Sequence, residues 1–247
     1  MNALELLKTG SKLLKTSKIQ SCILDAEILL SKTLNKPREN LLVNLDQIIS
    51  DKEVLTFKKY LKRRAKNEPI AYIIEEKEFW SKKFFVNKDT LIPRPETELL
   101  VEELTNLYKK KNVTILDIGT GSGCIIISLL GNLNCSKGIG IDISKKAIEI
   151  AKINAIKHNI TKRVKFINKS IDQVFNKKFD LIVSNPPYIV KKDIKNLSDD
   201  IKKFEPRMAL DGGNDGLDLI RKVIYKSSEI LKKNGALALE IGNKQFK

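Results

Sequence analysis

The sequence predicts an α/β chain, a sheet with a helical segment ahead of it, and three observations carry that reading. The apolar run Val113 to Ile118 leads straight into Gly119-Thr120-Gly121-Ser122-Gly123 and then the apolar stretch Cys124 to Leu130, a strand, glycine turn and helix in succession. A second run, Gly138-Ile139-Gly140-Ile141, ends in Asp142, and a third, Phe179 to Ser184, reads as a buried strand closed by Asn185-Pro186-Pro187-Tyr188. Of 12 glycines only Gly10 precedes Gly119, so the two halves are built differently. A length of 247 residues suits one or two domains with ample chain for a core.

Taken in order, Ala3 to Leu14 and Ser21 to Leu34 have helical periodicity, and Ser50-Asp51-Lys52-Glu53 reads as a capping box opening a third helix through Val54, Phe57 and Leu61. After Pro69 the pattern changes. Glu78-Phe79-Trp80 and Phe84-Phe85-Val86-Asn87, around a Ser-Lys-Lys turn, predict a hairpin. Pro95 at a first helical position, with Glu96 and Glu98 in the first turn, predicts a helix to about Tyr108. Sheet strands are expected to begin near Ile115, Gly138, Val164, Phe179 and Ala236. The helix opened by Ser144 should end at His158, whose ring is expected to face solvent as a C-terminal cap.

The chemistry gathers at two of these strand ends. Glycines at 119, 121 and 123 let backbone approach a ligand and expose helix N-terminal N–H groups, while Cys124 breaks the dinucleotide fingerprint. Asp142, ending the next strand, is placed where a ribose diol seeks a carboxylate; capping the following helix is its plainer role. Two prolines in succession fix φ and remove two donors, so Asn185 and the backbone carbonyls beside it form an acceptor-rich clamp for a planar NH2 group, with the Tyr188 ring alongside. An ordinary turn leaving a strand is the alternative.

Composition narrows the classes. There are 46 Lys plus Arg against 30 Asp plus Glu, a formal net charge of +16, which suits a nucleic-acid partner; yet the lysines are scattered and form no arginine-rich run. Cys22, Cys124 and Cys135 have no paired metal-ligand spacing, so neither a zinc site nor any other metal is expected, and the cysteine usage fits a reducing compartment. No Ser-His-Asp or Cys-His set is evident. No apolar stretch reaches the roughly 20 residues of a membrane span, and Met1 to Leu7 does not read as a signal or transit peptide.

Four blocks then carry a resemblance: Leu91-Ile92-Pro93-Arg94-Pro95-Glu96-Thr97-Glu98, Leu116 to Gly123, Ser184-Asn185-Pro186-Pro187-Tyr188-Ile189, and Phe204-Glu205-Pro206-Arg207-Met208-Ala209-Leu210 followed by Gly212-Gly213-Asn214-Asp215-Gly216-Leu217. Together they resemble the peptide chain release factor N5-glutamine methyltransferases, the PrmC/HemK family, over about Glu68 to Gln245. The resemblance implies a Rossmann-like S-adenosylmethionine-dependent methyltransferase sheet behind an N-terminal helical domain. It also implies a cytoplasmic, monomeric enzyme that methylates the glutamine of the Gly-Gly-Gln motif in class 1 release factors. The order of elements read above divides the chain into a helical domain at 1–75, expected to recognise the substrate, a hairpin linker at 76–94 and a methyltransferase domain at 95–247.

By the same resemblance Gly119, Thr120, Gly121, Ser122, Gly123, Asp142, Ile171 and Asn185 would hold the cofactor. Asn185, Pro186, Pro187 and Tyr188 would bind the acceptor amide, with Asn185, Pro186 and Tyr188 catalytic. Three departures stand out. The acid usually found beside adenine is Ser170 here, so that contact fails unless Asp172 replaces it. Glu75 occupies a position usually held by glycine, predicting a strained positive φ. The chain ends at Lys247 with five strands counted, so the last two of a seven-stranded sheet are expected to be missing and the strand around Ala236 to lie at an aggregation-prone edge. Two rival readings remain: a nucleic-acid amino-methyltransferase of the N6-adenine type, favoured by the charge, and a cofactor-binding form without turnover.

Overall fold

Two capping boxes open the helical part of the chain. In the computed structural model, which describes residues 1–173, 177–243 and 245, Asn2 Oδ1 accepts from Glu5 N at 2.9 Å and Asn2 N donates to the Glu5 carboxylate at 3.1 Å. The box expected at Ser50 and Glu53 is present too; the one at Asn2 has the same spacing and went unread. The helices are α1 (Ala3–Thr16), α2 (Cys22–Leu34), α3 (Arg38–Leu42), α4 (Asp51–Arg64) and α5 (Ile70–Ile74). Their apolar faces enclose Leu6, Leu14, Leu29, Leu30, Leu41 and Phe57, all buried. Inside this core Arg64 Nε meets Asp25 Oδ2 at 2.7 Å, an ion pair with little water around either partner. The unit comprises Met1–Glu75 and Asp199–Phe204. At its end Glu75 has φ 57°, the left-handed conformation that its glycine-like position predicts.

The second unit comprises Glu76–Ser198 and Glu205–Lys247. It opens on a hairpin of β1 (Lys77–Phe79) and β2 (Lys82–Phe84), paired antiparallel. The turn is the two residues Trp80 and Ser81, both with positive φ, rather than Ser81 to Lys83. This register buries Phe79 and Phe84, whose rings meet edge to face at 6.1 Å, and Glu98 Oε1 accepts from Trp80 N at 3.0 Å. Helix α6 (Thr97–Tyr108) starts later than Pro95 suggests, after tight turns in which Thr97 N and Glu98 N donate to the carbonyls of Arg94 and Pro95.

The sheet follows: β3 (Thr114–Ile118), α7 (Cys124–Asn132), β4 (Lys137–Asp142), α8 (Lys145–Lys157), β5 (Val164–Asn168) and β6 (Phe179–Ser184). After a 3-10 segment at Lys191–Asn196 come α9 (Asp199–Phe204), counted with the first unit, a 3-10 turn at Arg207–Ala209, α10 (Asp218–Ile230) and β7 (Leu231–Leu239). His158 caps α8 as expected, but it is half-buried and only partly faces solvent. Its ring lies 4.7 Å from the Phe84 ring with Nε2 3.1 Å from the Lys83 carbonyl, and burial lowers its pKa.

Among the described residues this sheet has five strands, all parallel, in the order β5-β4-β3-β6-β7. Chain progress runs outward from β3 through β4 to β5, then returns to β6 and runs outward the other way. The order therefore reverses between β3 and β6, and ligands of such sheets bind beyond the carboxyl ends at that switch point. The core strands are continuous apolar runs, with Ile115, Leu116, Leu181, Ile182 and Val183 fully buried because helices cover both faces. At the edge, β7 pairs with β6 alone among the described residues, as expected for the strand around Ala236. It enters earlier than expected, at Leu231, and a register irregularity opposite Phe179 and Leu181 absorbs residues 232–235.

Candidate active site

At the carboxyl end of β3 the chain must reverse into α7 within five residues, and glycines at 119, 121 and 123, with φ of 71°, 55° and 80°, make that possible. Gly119 N and Thr120 N both donate to the Ile141 carbonyl at 2.9 Å, fastening the turn to β4. The five turn residues then divide in two. Gly119 and Gly121 line a cavity of about 240 Å³, and a Cβ at Gly119 would meet nothing within 4 Å. Thr120, Ser122 and Gly123 point inward and brace the turn instead. Thr120 Oγ1 donates to Asp117 Oδ2 at 2.7 Å, and the Ser122 carbonyl accepts from Asn154 Nδ2 at 2.9 Å.

Asp117 and Asn154 were not singled out in the sequence. Burial pushes the Asp117 carboxyl up to about 7, against the Thr120 hydroxyl that favours its charged form. Asn154 is wholly buried, and its Oδ1 accepts from Phe85 N at 2.7 Å while Nδ2 also donates to Phe85 O at 3.0 Å.

Asp142 ends β4 at the cavity wall. Its Oδ2 accepts from Gly121 N at 3.0 Å and its Oδ1 from Ser144 N at 2.8 Å, so it braces the glycine turn and starts α8 while the carboxylate keeps acceptor capacity. Burial raises its pKa. Ile171 is buried and lines the same cavity with Ser170 and Lys169. Asp172 does not take the place of the missing acid: it is outside the lining, hydrogen-bonded to Ser170 Oγ at 3.0 Å and paired with Lys222.

From the carboxyl end of β6, Asn185, Pro186 and Pro187 form the facing wall. Ser184 Oγ donates to the Ile118 carbonyl at 2.7 Å and fixes β6 beside the glycine turn. The segment beyond is held by the block at 210–216. Ile189 N donates to Leu210 O at 3.1 Å and Gly212 N to Ile189 O at 2.8 Å. At Gly216, where φ is 80°, a Cβ would lie 2.5 Å from the Tyr188 carbonyl oxygen, so only glycine allows that approach. Tyr188 is outside the cavity lining; its hydroxyl lies 3.4 Å from Glu240 Oε1, and burial followed by that carboxylate raises its pKa. Asn185 Nδ2 donates to Thr97 Oγ1 at 3.1 Å.

The remaining wall includes Asp89, Thr90, Leu91, Met208 and Leu219. Leu91 and Met208 belong to the blocks that carry the family resemblance, whereas Asp89, Thr90 and Leu219 have no pattern of their own, because the wall converges from three separate segments. Two glycine-turn backbones, a carboxylate at a strand end, apolar walls and an acceptor-bearing amide thus share one cleft. That donor set can hold a polar, part-apolar small molecule and present an acceptor to an N–H group beside it.

Comparison with known proteins shows which sequences this chain is similar to. Residues 5–74 match a family model described as the PrmC N-terminal domain, and residues 109–245 one described as a methyltransferase domain. A release factor glutamine methyltransferase of Bradyrhizobium diazoefficiens is 37% identical, the match covering 96% of this chain and 82% of that protein. One of Buchnera aphidicola subsp. Schizaphis graminum is 43% identical, covering 90% and 80%. A bifunctional methyltransferase of Rickettsia typhi is 42% identical over 90% of this chain, which spans 47% of that protein's length; the chain is about half as long as the Rickettsia relatives it matches.

Proposed function

We propose, from the premise that this chain belongs to the release factor glutamine methyltransferase family, that it transfers a methyl group from S-adenosylmethionine to the N5 amide nitrogen of the glutamine in the Gly-Gly-Gln motif of class 1 release factors. The observation that carries this reading is the shared cleft: Asn185 and Pro186 face the Gly119 and Gly121 backbone across the sheet's switch point.

In this reading Gly119, Gly121, Asp142 and Ile171 hold the cofactor, with Asp142 offering lone pairs to a ribose diol and Ile171 an apolar face to adenine. When bound, the sulfonium supplies an activated methyl group. Thr120, Ser122 and Gly123 shape the turn rather than touch the ligand. Asn185 Oδ1 and the Pro186 carbonyl accept the two hydrogens of the substrate amide, which holds its nitrogen in place and lowers the cost of orientation. Removing one such acceptor is expected to slow the reaction on the order of 10²-fold, by analogy with oxyanion-hole deletions. Tyr188 flanks the amide through its position in the turn. Residues 1–75 serve release-factor recognition, because an exposed tripeptide offers too little surface for specificity. Residues 76–94 link them to the methyltransferase domain at 95–247, in a cytoplasmic, monomeric enzyme.

A second reading, methylation of a nucleic-acid amine, is favoured by the +16 charge and by the groove in the helical unit lined by Lys58, Lys59, Lys62 and Lys66. One experiment separates the two. Incubation with S-adenosylmethionine and a class 1 release factor should add a single methyl to the Gly-Gly-Gln glutamine by mass spectrometry. A methylated base in DNA or RNA, with the release factor untouched, would transfer the case to the second reading.

A further inference from the structure

Asn185 can work as an acceptor only if its amide is turned the right way, and the chain controls that turn. Thr97, the first residue of α6, is buried at 2% exposure. Its single hydroxyl proton is committed to Glu240 Oε2 at 2.6 Å. With that proton spent, Thr97 Oγ1 can only accept, so the group facing it at 3.1 Å must be the Asn185 NH2 and not its oxygen. Asn185 Oδ1 is thereby left on the other side of the amide, and it has no hydrogen-bond partner among the described residues. Glu240 itself is anchored where β7 ends: its N–H donates to the Ser184 carbonyl at 3.1 Å, next to Asn185 in the chain.

We propose that Glu240 and Thr97 are positioning residues that lock the Asn185 carboxamide with its oxygen toward the methyl-accepting N–H. The inference rests on the reading of the cleft as a glutamine methyltransferase site. Direction passes along three groups: a carboxylate that can only accept, a hydroxyl that must donate to it, and an amide that must donate to the hydroxyl. Each bond polarises the next, so the carboxylate also makes the Asn185 oxygen a better acceptor. Without the lock the amide can flip and present NH2 to the substrate NH2, two donors face to face.

The test compares Thr97→Val, which keeps the shape and removes the hydroxyl, with Thr97→Ser, which keeps the hydroxyl. Thr97→Val should lower kcat on a release factor roughly 10- to 100-fold. Thr97→Ser should stay within a few-fold of the parent, and both should bind S-adenosylhomocysteine as the parent does by calorimetry. Equal rates for all three proteins, or equal losses in both variants, would overturn the lock. A second readout needs no turnover: in protein labelled with [15N]asparagine, the Asn185 side-chain NH2 signals, identified by their loss in Asn185→Ala, should shift in Thr97→Val and hold in Thr97→Ser. Unmoved signals in Thr97→Val overturn the inference by themselves. If the signals move as expected but no protein methylates the release factor, the lock stands and the substrate reading fails.

Discussion

Arg94 and Glu205 are 111 positions apart in sequence, and their side chains meet at 2.6 Å, with the Glu205 carboxylate almost wholly buried. Glu205 Oε2 also accepts from Ile92 N at 3.1 Å, and Arg94 Nη1 donates to the Ile92 carbonyl at 3.0 Å. The pair therefore joins the segment ahead of α6 to the segment after α9, and residues flanking both line the cleft.

Arg94→Ala would take the guanidinium away from a buried carboxylate and should cost roughly 3 kcal/mol. Replacing both partners with methionine should cost less than that single change. Urea midpoints of the single and double variants check this; an additive cycle would show that the two side chains do not depend on each other.

Asp117 should make stability fall with rising pH. Its carboxyl titrates at about 7 in the folded chain against 3.8 ordinarily. Between those values the native state keeps a proton that the unfolded chain has released, so the stabilisation is whole below about pH 4, declines toward pH 7 and is absent above. Asp117→Asn should flatten this slope. Denaturation curves at pH 5, 6, 7 and 8 measure it, and identical slopes for parent and variant would contradict it.

Glu75 pays for its left-handed φ of 57° without glycine's freedom. Glu75→Gly should stabilise the chain by up to about 1 kcal/mol, since relief of that strain exceeds the extra entropy of the unfolded state. Thermal unfolding should show the midpoint rising.

Gly216→Ala should act in the opposite sense. A Cβ 2.5 Å from the Tyr188 oxygen at a φ of 80° forces the turn after Pro187 to move. We expect a loss of about 1–3 kcal/mol in stability and a larger proportional loss of methylation than of S-adenosylhomocysteine binding, read by calorimetry beside the rate assay.

Asp142→Ala should weaken S-adenosylhomocysteine binding by roughly 1.5–3 kcal/mol, as expected for a hydrogen bond to a charged group. Because Asp142 also accepts from Gly121 N and Ser144 N, Asp142→Asn should retain part of the affinity. Unchanged binding in Asp142→Ala would remove this residue from the cofactor site.

What could be read in advance follows from how local each signal is. The glycine turn, Asp142 and the Asn185 to Tyr188 segment sit at strand ends, where a short apolar run followed by turn chemistry marks them in a single window. The strands of the sheet follow from the same runs, and their parallel pairing is what the structure adds. The hairpin register was misread because Lys82 and Lys83 look like turn residues, whereas burial of Phe79 and Phe84 decides the pairing. Thr97, Glu240, Asn154 and Asp117 were missed for a different reason. Each is an ordinary polar residue in a helix, in a strand or just after one, and its importance arises only when partners 32 to 143 positions distant, or the closed core around Asp117, come together. Tyr188 was placed from its neighbours in sequence, and the turn after Pro187 carries its hydroxyl away toward Glu240.

Asn154 grips both the N–H and the carbonyl of Phe85 while holding the carbonyl of Ser122 in the glycine turn. The hairpin and the turn are thus two ends of one buried clasp, and the Phe85 amide proton is a built-in sensor of the turn's breathing. Its exchange with solvent deuterium should slow when a ligand settles on Gly119 and Gly121, although Phe85 lies outside the cleft, and Asn154→Ala should silence that response while speeding exchange in the free protein.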